Sequence, residues 1–443
     1  MEDCFPLAIK IIIMKIAYLV TGSGDSFYCS NCHRDRLYAS SIRELGDNEV
    51  TAVPLYLPPL GEDYGEEFEN PVFFGAVSMF LRERVKMFDH LPSFMDKIFD
   101  APPLLRFAAK KAGTTRTEGF EETTLNMIRG NDPSRIKEIS RLSKHLSENG
   151  KPDIIHLSNA LIMGLARQLK DVLGSKVICS LQNEDDWIDE MVEPYRTQAW
   201  KLIGEESVNI DKFISPSTYF KELVVEKTGI NPDQIEVVPS GLEENAFQNL
   251  TKKGETPAIG FYSRLSYPNG LDKLVDAYIL IMKEGKIPGM QLHICGGYTA
   301  DNKHFIKEQL HKIKENDLDH LVKLYSAFHG KQKEEFFSSI DIMSVPVRKA
   351  DASGLYILTA NSAGVPVVQP ATGAFPEIIE MSGGGITYSP DTVEQLAKSL
   401  TELIKDKEKL LMLGKNGKER VPELLSTRKM AEGIMKVYKN VLD

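Results

Sequence analysis

Tryptophan and cysteine are scarce in this chain, at two and five of 443 residues. Five cysteines (Cys4, Cys29, Cys32, Cys179 and Cys295) are few and odd in number. That fits a reducing compartment better than a disulfide framework. The sequence also lacks the uninterrupted run of ~20 apolar residues that a membrane span needs. Its apolar opening, MEDCFPLAIKIIIMKIAYLV, is broken by Lys10 and Lys15. Without a basic leading region or a small-residue cleavage site, that opening does not read as a signal peptide. Positive charge is not in excess either. The formal net charge of −10 argues against a general nucleic-acid binder, because a phosphate backbone calls for a basic face. No internal repeat or low-complexity tract stands out. The expectation is a cytoplasmic protein of two domains, from a length of 443 residues at roughly 100–200 residues per domain.

What is present is alternation. Short apolar runs, KIAYLV, VTAVPLYL, PDIIHLS, KVICSLQ and DKFISPS, are each followed by a loop or an amphipathic helical stretch. A second block repeats the pattern from Pro257 with PAIGFYSR, MQLHICGG, VKLYSAF, IDIMSVPV and PVVQP. Such β-α alternation predicts parallel sheets with helices on both faces, here two Rossmann-like doubly wound domains over 14–248 and 257–425. The polar stretch 249–256 is the linker candidate, and MKIAYLV at Met14 the natural first strand, with 1–13 read as an upstream extension or a mis-called start. Over 71–129 the pattern changes to helical, basic and aromatic, with Arg82, Arg84, Lys86, Lys110 and Lys111 among Phe73, Phe80, Phe88 and Phe107. This reads as an insertion in the first domain. It suits docking on anionic lipid headgroups or holding a lipid-linked acceptor, and equally a packed helical subdomain with a solvated basic face. Open α/β sheets bind ligands beyond the C-terminal ends of their strands, so the loops there are where function is sought.

The densest candidate is VPVRKADASGLYILTANSAGVPVVQPATGAFPEIIE, residues 345–380. A strand runs into a polar loop, and a helix opens at Ser353, Gly354 and Leu355. A helix start with a glycine presents unpaired N–H groups and a partial positive charge, which suits a phosphate. This stretch resembles the donor-binding signature of family 4 glycosyltransferases, which have the GT-B fold, through Gly364, Pro366, Val367, Val368, Gly373, Pro376 and Glu377. Other segments agree in order: FYSRLSYPNGLDKLVDAY with Arg264, Leu265, Gly270 and Leu274; LHICGGY with Gly296; and PSTYFKELVVEKTGINPDQIEVVPSGLEENAF. The resemblance spans about residues 14–440.

The resemblance implies retaining transfer of a sugar from a nucleoside-diphosphate sugar to a carbohydrate or lipid-linked acceptor, as in bacterial cell-surface polysaccharide synthesis. It implies no metal and no cofactor beyond the donor substrate. Arg264 and the backbone at Gly354 and Leu355 would hold the diphosphate, Asp351 would lie near the sugar and Thr359 near the ribose. The closing helix, 426–443, would cross back to the first domain. Two positions depart from the pattern. Thr359 stands where the family has a glutamate that grips the ribose, and Asn269 where it has a lysine that joins the arginine on the diphosphate. Arg348 or Lys349 is the candidate to replace that cation. The alternative is a catalytically weakened scaffold that binds nucleotide sugars or partners an active transferase.

In the first domain, GSGDSFYCSNCHRD (22–35) follows the first strand. By resemblance its glycines, Gly22 and Gly24, contact the donor phosphate, and its Y-C-x-x-C stretch is similar to that of a bacterial subset of the family. Cys29 and Cys32 read as cleft-lining or packing residues, as a reactive thiol pair, or as part of a metal site, although no second pair of ligands is evident. A thiol-based regulatory protein is a third functional reading. Asp25, His156 and Glu184 are acceptor-side candidates and Asp185 a catalytic one. The bland readings are helix capping for the acids and a structural role for His156. Peripheral contact with the inner membrane face, through 71–129, is the membrane expectation.

Overall fold

The structure is a computed structural model that describes residues 13–21, 27–46, 48–56, 73, 117–130, 133–247, 250–251, 254 and 256–443. Two six-stranded sheets, all of whose recorded pairings are parallel, organise it. The first holds β1 (Lys15–Val20), β2 (Glu49–Pro54), β3 (Ile154–Leu157), β4 (Lys176–Ser180), β5 (Lys212–Ser215) and β6 (Ile235–Val237), in the order β2-β1-β3-β4-β5-β6. The second holds β7 (Ala258–Tyr262), β8 (Gln291–Cys295), β9 (Val322–Leu324), β10 (Ile342–Met343), β11 (Val367–Pro370) and β12 (Gly385–Tyr388), in the order β12-β11-β10-β7-β8-β9. Inner strands such as IIHL and AIGFY are buried along their whole length, as strands covered by helices on both faces must be, while the edge strands β9 and β12 are partly exposed. This is the α/β GT-B architecture.

Strand order reverses once in each sheet, between β1 and β3 and between β7 and β10. Crossovers leave such a pair in opposite directions, and the loops there part to leave a crevice at the strands' C-terminal ends. The two crevices face each other.

The chain's last helix, Thr427–Leu442, packs on the helix Ser30–Glu44 of the first domain. Its Tyr438 hydroxyl lies 2.6 Å from His156 Nδ1 in β3. The sequence pattern missed the helix that precedes this last one, Lys407–Leu424. It has few apolar positions, and its Gly414 and Gly417 are buried where larger side chains could not fit. Most of the expected insertion and half of the expected linker lie outside the described residues. The helix Glu121–Arg129, read from sequence as part of the insertion, instead buries Leu125, Met127 and Ile128 in the core of the first domain. Among the described residues no helix is long and apolar enough to cross a membrane.

Candidate active site

A cavity of about 460 Å³ lies between the domains. Its walls come from the strand ends and loops at both strand-order reversals: Val20 and Thr21 at the end of β1, Asn159 after β3, Ser263 and Arg264 after β7, and Val347 and Lys349 after β10. Arg264 and Lys349 are the only basic residues among its described lining, against five acids, Asp35, Glu184, Asp186, Glu190 and Asp351.

Arg264 is 9% exposed. Its Nη2 donates to Thr299 Oγ1 at 2.9 Å and to Asn302 Oδ1 at 3.1 Å, and Nε donates to the same Asn302 oxygen at 3.2 Å. The guanidinium carbon lies 4.3 Å from the centroid of the Phe27 ring. None of these hydrogen-bond partners is an anion, and the carboxylate of Asp301 acts on the guanidinium only through space. Asn269 does not stand in for a cation. Its amide donates to Ser263 Oγ at 2.9 Å and to the Arg264 carbonyl at 3.0 Å, bracing the loop that carries Arg264.

The two cations proposed to compensate part company. Arg348 is bound bidentately to Asp272, at 2.8 and 2.6 Å, and lies 3.7 Å from the Tyr267 ring centroid, away from the cavity lining. Lys349 lines the cavity, 3.1 Å from Glu190 Oε1 of the first domain. Lys349→Ala should therefore weaken binding of a nucleoside diphosphate roughly 10-fold or more, the scale of a charged hydrogen bond. Arg348→Ala should leave that affinity unchanged and lower the melting temperature. Calorimetric titration with UDP and GDP of both variants reads the difference, and equal losses would contradict it.

Asp351 lies two residues further along the same loop as Lys349 and also lines the cavity. Its Oδ1 accepts from the N–H of Ser353 at 2.8 Å and of Gly354 at 2.7 Å, while burial raises its pKa. Gly354 then takes φ +52°, and a Cβ there would stand 2.9 Å from Ile378, so only glycine starts the helix Leu355–Ser362 this way. Leu355 itself is fully buried and only its backbone belongs to the helix mouth. Thr359 is corrected: it is buried inside that helix, its hydroxyl donates to the Leu355 carbonyl at 3.0 Å, and it does not line the cavity. A threonine within a helix commonly satisfies itself this way. Gly296 is not a cavity wall either. Its carbonyl accepts the Tyr28 N–H at 2.7 Å, docking the Phe27–Tyr28 strand of the first domain onto the second.

On the first domain, Gly22, Gly24 and Asp25 lie outside the described residues. Cys29 and Cys32 are joined by a disulfide and line the cavity at the start of the helix Ser30–Glu44. His156 is not brought to the cleft. It is fully buried, with Nε2 2.9 Å from Ser180 Oγ, and burial pushes its pKa well below the usual range, so it is a neutral bridge to the last helix. Glu184 lines the cavity but spends both oxygens on backbone: Oε1 on the Ala160 N–H and Oε2 on the Gln182 N–H, each at 2.8 Å. Asp185 is also corrected. One residue along a helix turns the side chain by about 100°, so Asp185 points inward, 9% exposed, and Asp186 takes the place on the cavity. Burial and the neighbouring carboxylates of Asp186 and Glu184 push the Asp185 pKa up to about 7. Burial and the charge of Asp351 push Asp186 to about 6.

Sequence reasoning missed Asp35, Tyr28 and Tyr356, and counted Asp186 among three loop acids without singling it out. Asp35 accepts from Tyr18 Oη at 2.6 Å and from the Gln182 amide, and burial lifts its pKa to about 6. Asn31 and Asp35 stand four apart on one helix face, a spacing that could have pointed to it. Among the described residues no group of three or more His, Cys, Asp or Glu has the arrangement of a metal site.

Residues 243–420 match the family model described as glycosyl transferases group 1, and residues 109–245 the one described as glycosyltransferase family 4. The D-inositol 3-phosphate glycosyltransferase of Corynebacterium aurimucosum is 23% identical over 283 residues, covering 59% of this chain and 66% of that protein. A GDP-mannose-dependent monoacylated alpha-(1-6)-phosphatidylinositol monomannoside mannosyltransferase of Corynebacterium glutamicum is 25% identical over 301 residues, 63% of this chain and 74% of that one. The first of these alignments spans just under two thirds of the relative's length, at 66%. The crystal structure of Anabaena HepE in complex with UDP superposes with a TM-score of 0.66 at 14% identity, covering 96% of this chain and 100% of that one. Fold and family models together define this chain as a glycosyltransferase of GT-B type. Its second domain carries nearly all of the group 1 match, and its first domain holds the whole of the family 4 match, which begins within the expected insertion.

Proposed function

We propose that the protein moves a sugar from a nucleoside-diphosphate sugar to a hydroxyl of a carbohydrate or lipid-linked acceptor, with retention at the anomeric carbon. The observation that carries this reading is the division of charge in the interdomain cavity. Arg264 and Lys349 offer positive charge on the second-domain side, where Asp351 caps the start of the helix Leu355–Ser362. Asp186, Glu190 and Asp35 lie across from them on the first domain. A diphosphate fits the first set. In transfer the bond from the anomeric carbon to the phosphate oxygen breaks, charge builds on the leaving diphosphate, and preorganised cations stabilise it most where water is excluded. Sugar and acceptor hydroxyls fit the second set, as donors to carboxylates.

The donor base is the open choice. HepE has been crystallised with UDP and with UDP-glucose, whereas the mannosyltransferase relative is GDP-mannose-dependent. Thermal unfolding with UDP, GDP, ADP, UDP-glucose and GDP-mannose tests the reading. A ligand at about 100 times its dissociation constant stabilises by ~2.7 kcal/mol, which raises the melting temperature by roughly 2–4 °C per kcal/mol for domains of this size. A shift with one nucleotide family assigns the base, and NMR of the product's anomeric proton then reads retention. No shift with any of them would overturn the reading. Binding without turnover would leave a nucleotide-sugar binder, the role that Asn269 and the buried Thr359 would permit.

A further inference from the structure

Tyr356 is the second residue of the helix Leu355–Ser362 and lines the cavity. It is 2% exposed, and its Oη has no hydrogen-bond partner among the described residues. Its ring is fixed by an edge contact with Phe375, at 6.1 Å between centroids, so the hydroxyl cannot swing out to water without unpacking the helix. A buried phenol with nothing to donate to is costly to keep unless an acceptor arrives. The groups in electrostatic reach of it are the carboxylates of Asp351 and Asp186 and the hydroxyl of Tyr28. With burial they keep the phenol protonated, hence a donor.

The surroundings decide what it donates to. A phosphate oxygen beside two carboxylates would be repelled. A sugar hydroxyl accepts from the phenol and passes its own hydrogen to a carboxylate, satisfying three groups at once. Of the cations that suit the diphosphate, Arg264 reaches the cavity from the loop after β7, and Lys349 is paired with Glu190 of the first domain. We propose that Tyr356 is a sugar-reading residue: its hydroxyl donates to one hydroxyl of the transferred sugar, which in turn donates to Asp351 or Asp186. This inference rests on the nucleotide-sugar reading above and adds a determinant of which sugar is accepted.

Tyr356→Phe removes one oxygen and keeps the ring that packs on Phe375, and its melting temperature checks that it folds. Titrations of wild type and variant with UDP and UDP-glucose, and with GDP and GDP-mannose, separate the outcomes. For the pair that binds wild type, the variant should bind the bare nucleotide as wild type does and the nucleotide sugar roughly tenfold more weakly, the scale of one hydrogen bond. Equal losses for nucleotide and nucleotide sugar would place the hydroxyl on the diphosphate and overturn the proposal. Equal affinities of variant and wild type for the sugar conjugate would overturn it too. Failure of wild type to bind any of the four would instead overturn the nucleotide-sugar reading on which it stands.

Discussion

Arg264→Ala is expected to lower turnover by on the order of 10²–10³-fold, the effect of deleting one preorganised group that stabilises charge in a transition state, and to weaken nucleoside-diphosphate binding with it. The expectation follows from how the side chain is held. Thr299 and Asn302 fix Nη2 and Nε, and Phe27 covers one face of the guanidinium, yet no carboxylate hydrogen-bonds to it. An arginine so positioned has lost rotamer freedom in advance, and its charge is available to an incoming anion. Arg264→Lys should recover little, since an ammonium cannot fill the two-sided hydrogen bonding with Thr299 and Asn302 and still lie on the Phe27 ring. Steady-state rates and titration with the bare nucleotide would be measured on both variants beside their melting curves. A folded Arg264→Ala protein that keeps wild-type affinity for the nucleotide would remove the diphosphate from this wall of the cavity.

The alternation of short buried strands and helices was enough to read the α/β class and five of the six strands in each sheet, because period and composition carry that information locally; the edge strands β6 and β12, short and partly exposed, were not read. The loops that follow the strands were legible as the place for a site for the same reason. Which side chain in a loop faces the cavity was not. Asp185 and Asp186 are neighbours in sequence with the same chemistry, and only the turn of the helix that opens after Asn183, itself at φ +55°, sends one inward and the other to the cleft. His156 looked like a strand-end candidate, but its partner Tyr438 lies 282 residues away, and no local pattern announces such a pair. Tyr356 was hidden by its surroundings: between Leu355 and Ile357, near the start of an apolar helix, a tyrosine reads as core. Arg348 and Lys349 were adjacent candidates for one role, and it is Asp272, 76 residues away in the first turn of the helix Leu271–Lys283, that removes the first from consideration.

Asp185→Asn is expected to stabilise the protein at pH 8 and to leave its stability at pH 4 nearly unchanged. The carboxyl is 9% exposed, its Oδ1 has no hydrogen-bond partner among the described residues, and Asp186 and Glu184 lie close enough to repel its charge. The folded protein therefore holds the proton until about pH 7, whereas the ordinary carboxyl value is 3.8. As pH rises from about 4 to 7 the unfolded chain gives up this proton and the folded one does not. The stability associated with the protonated form is fully present below pH 4 and is lost as pH passes through the folded value. Above pH 7 the fold carries a buried, repelled carboxylate. Asparagine cannot ionise, so it removes this penalty. At 1.36 kcal/mol for each unit, and allowing for sharing of the shift with Asp186, the gain at pH 8 is roughly 2–4 kcal/mol, seen as a melting temperature higher by about 5–10 °C. Melting curves of wild type and variant across pH 4–8 should converge at the acid end and separate at the basic end. A separation that is the same at every pH would show that ionisation of Asp185 is not its cause. The same variant divides the acids by role, since Asp185 points away from the cavity and Asp186 lines it. Asp185→Asn should transfer sugar at close to the wild-type rate, and Asp186→Asn should lose most of it. The reverse result would move the reacting sugar to the inner face of this helix.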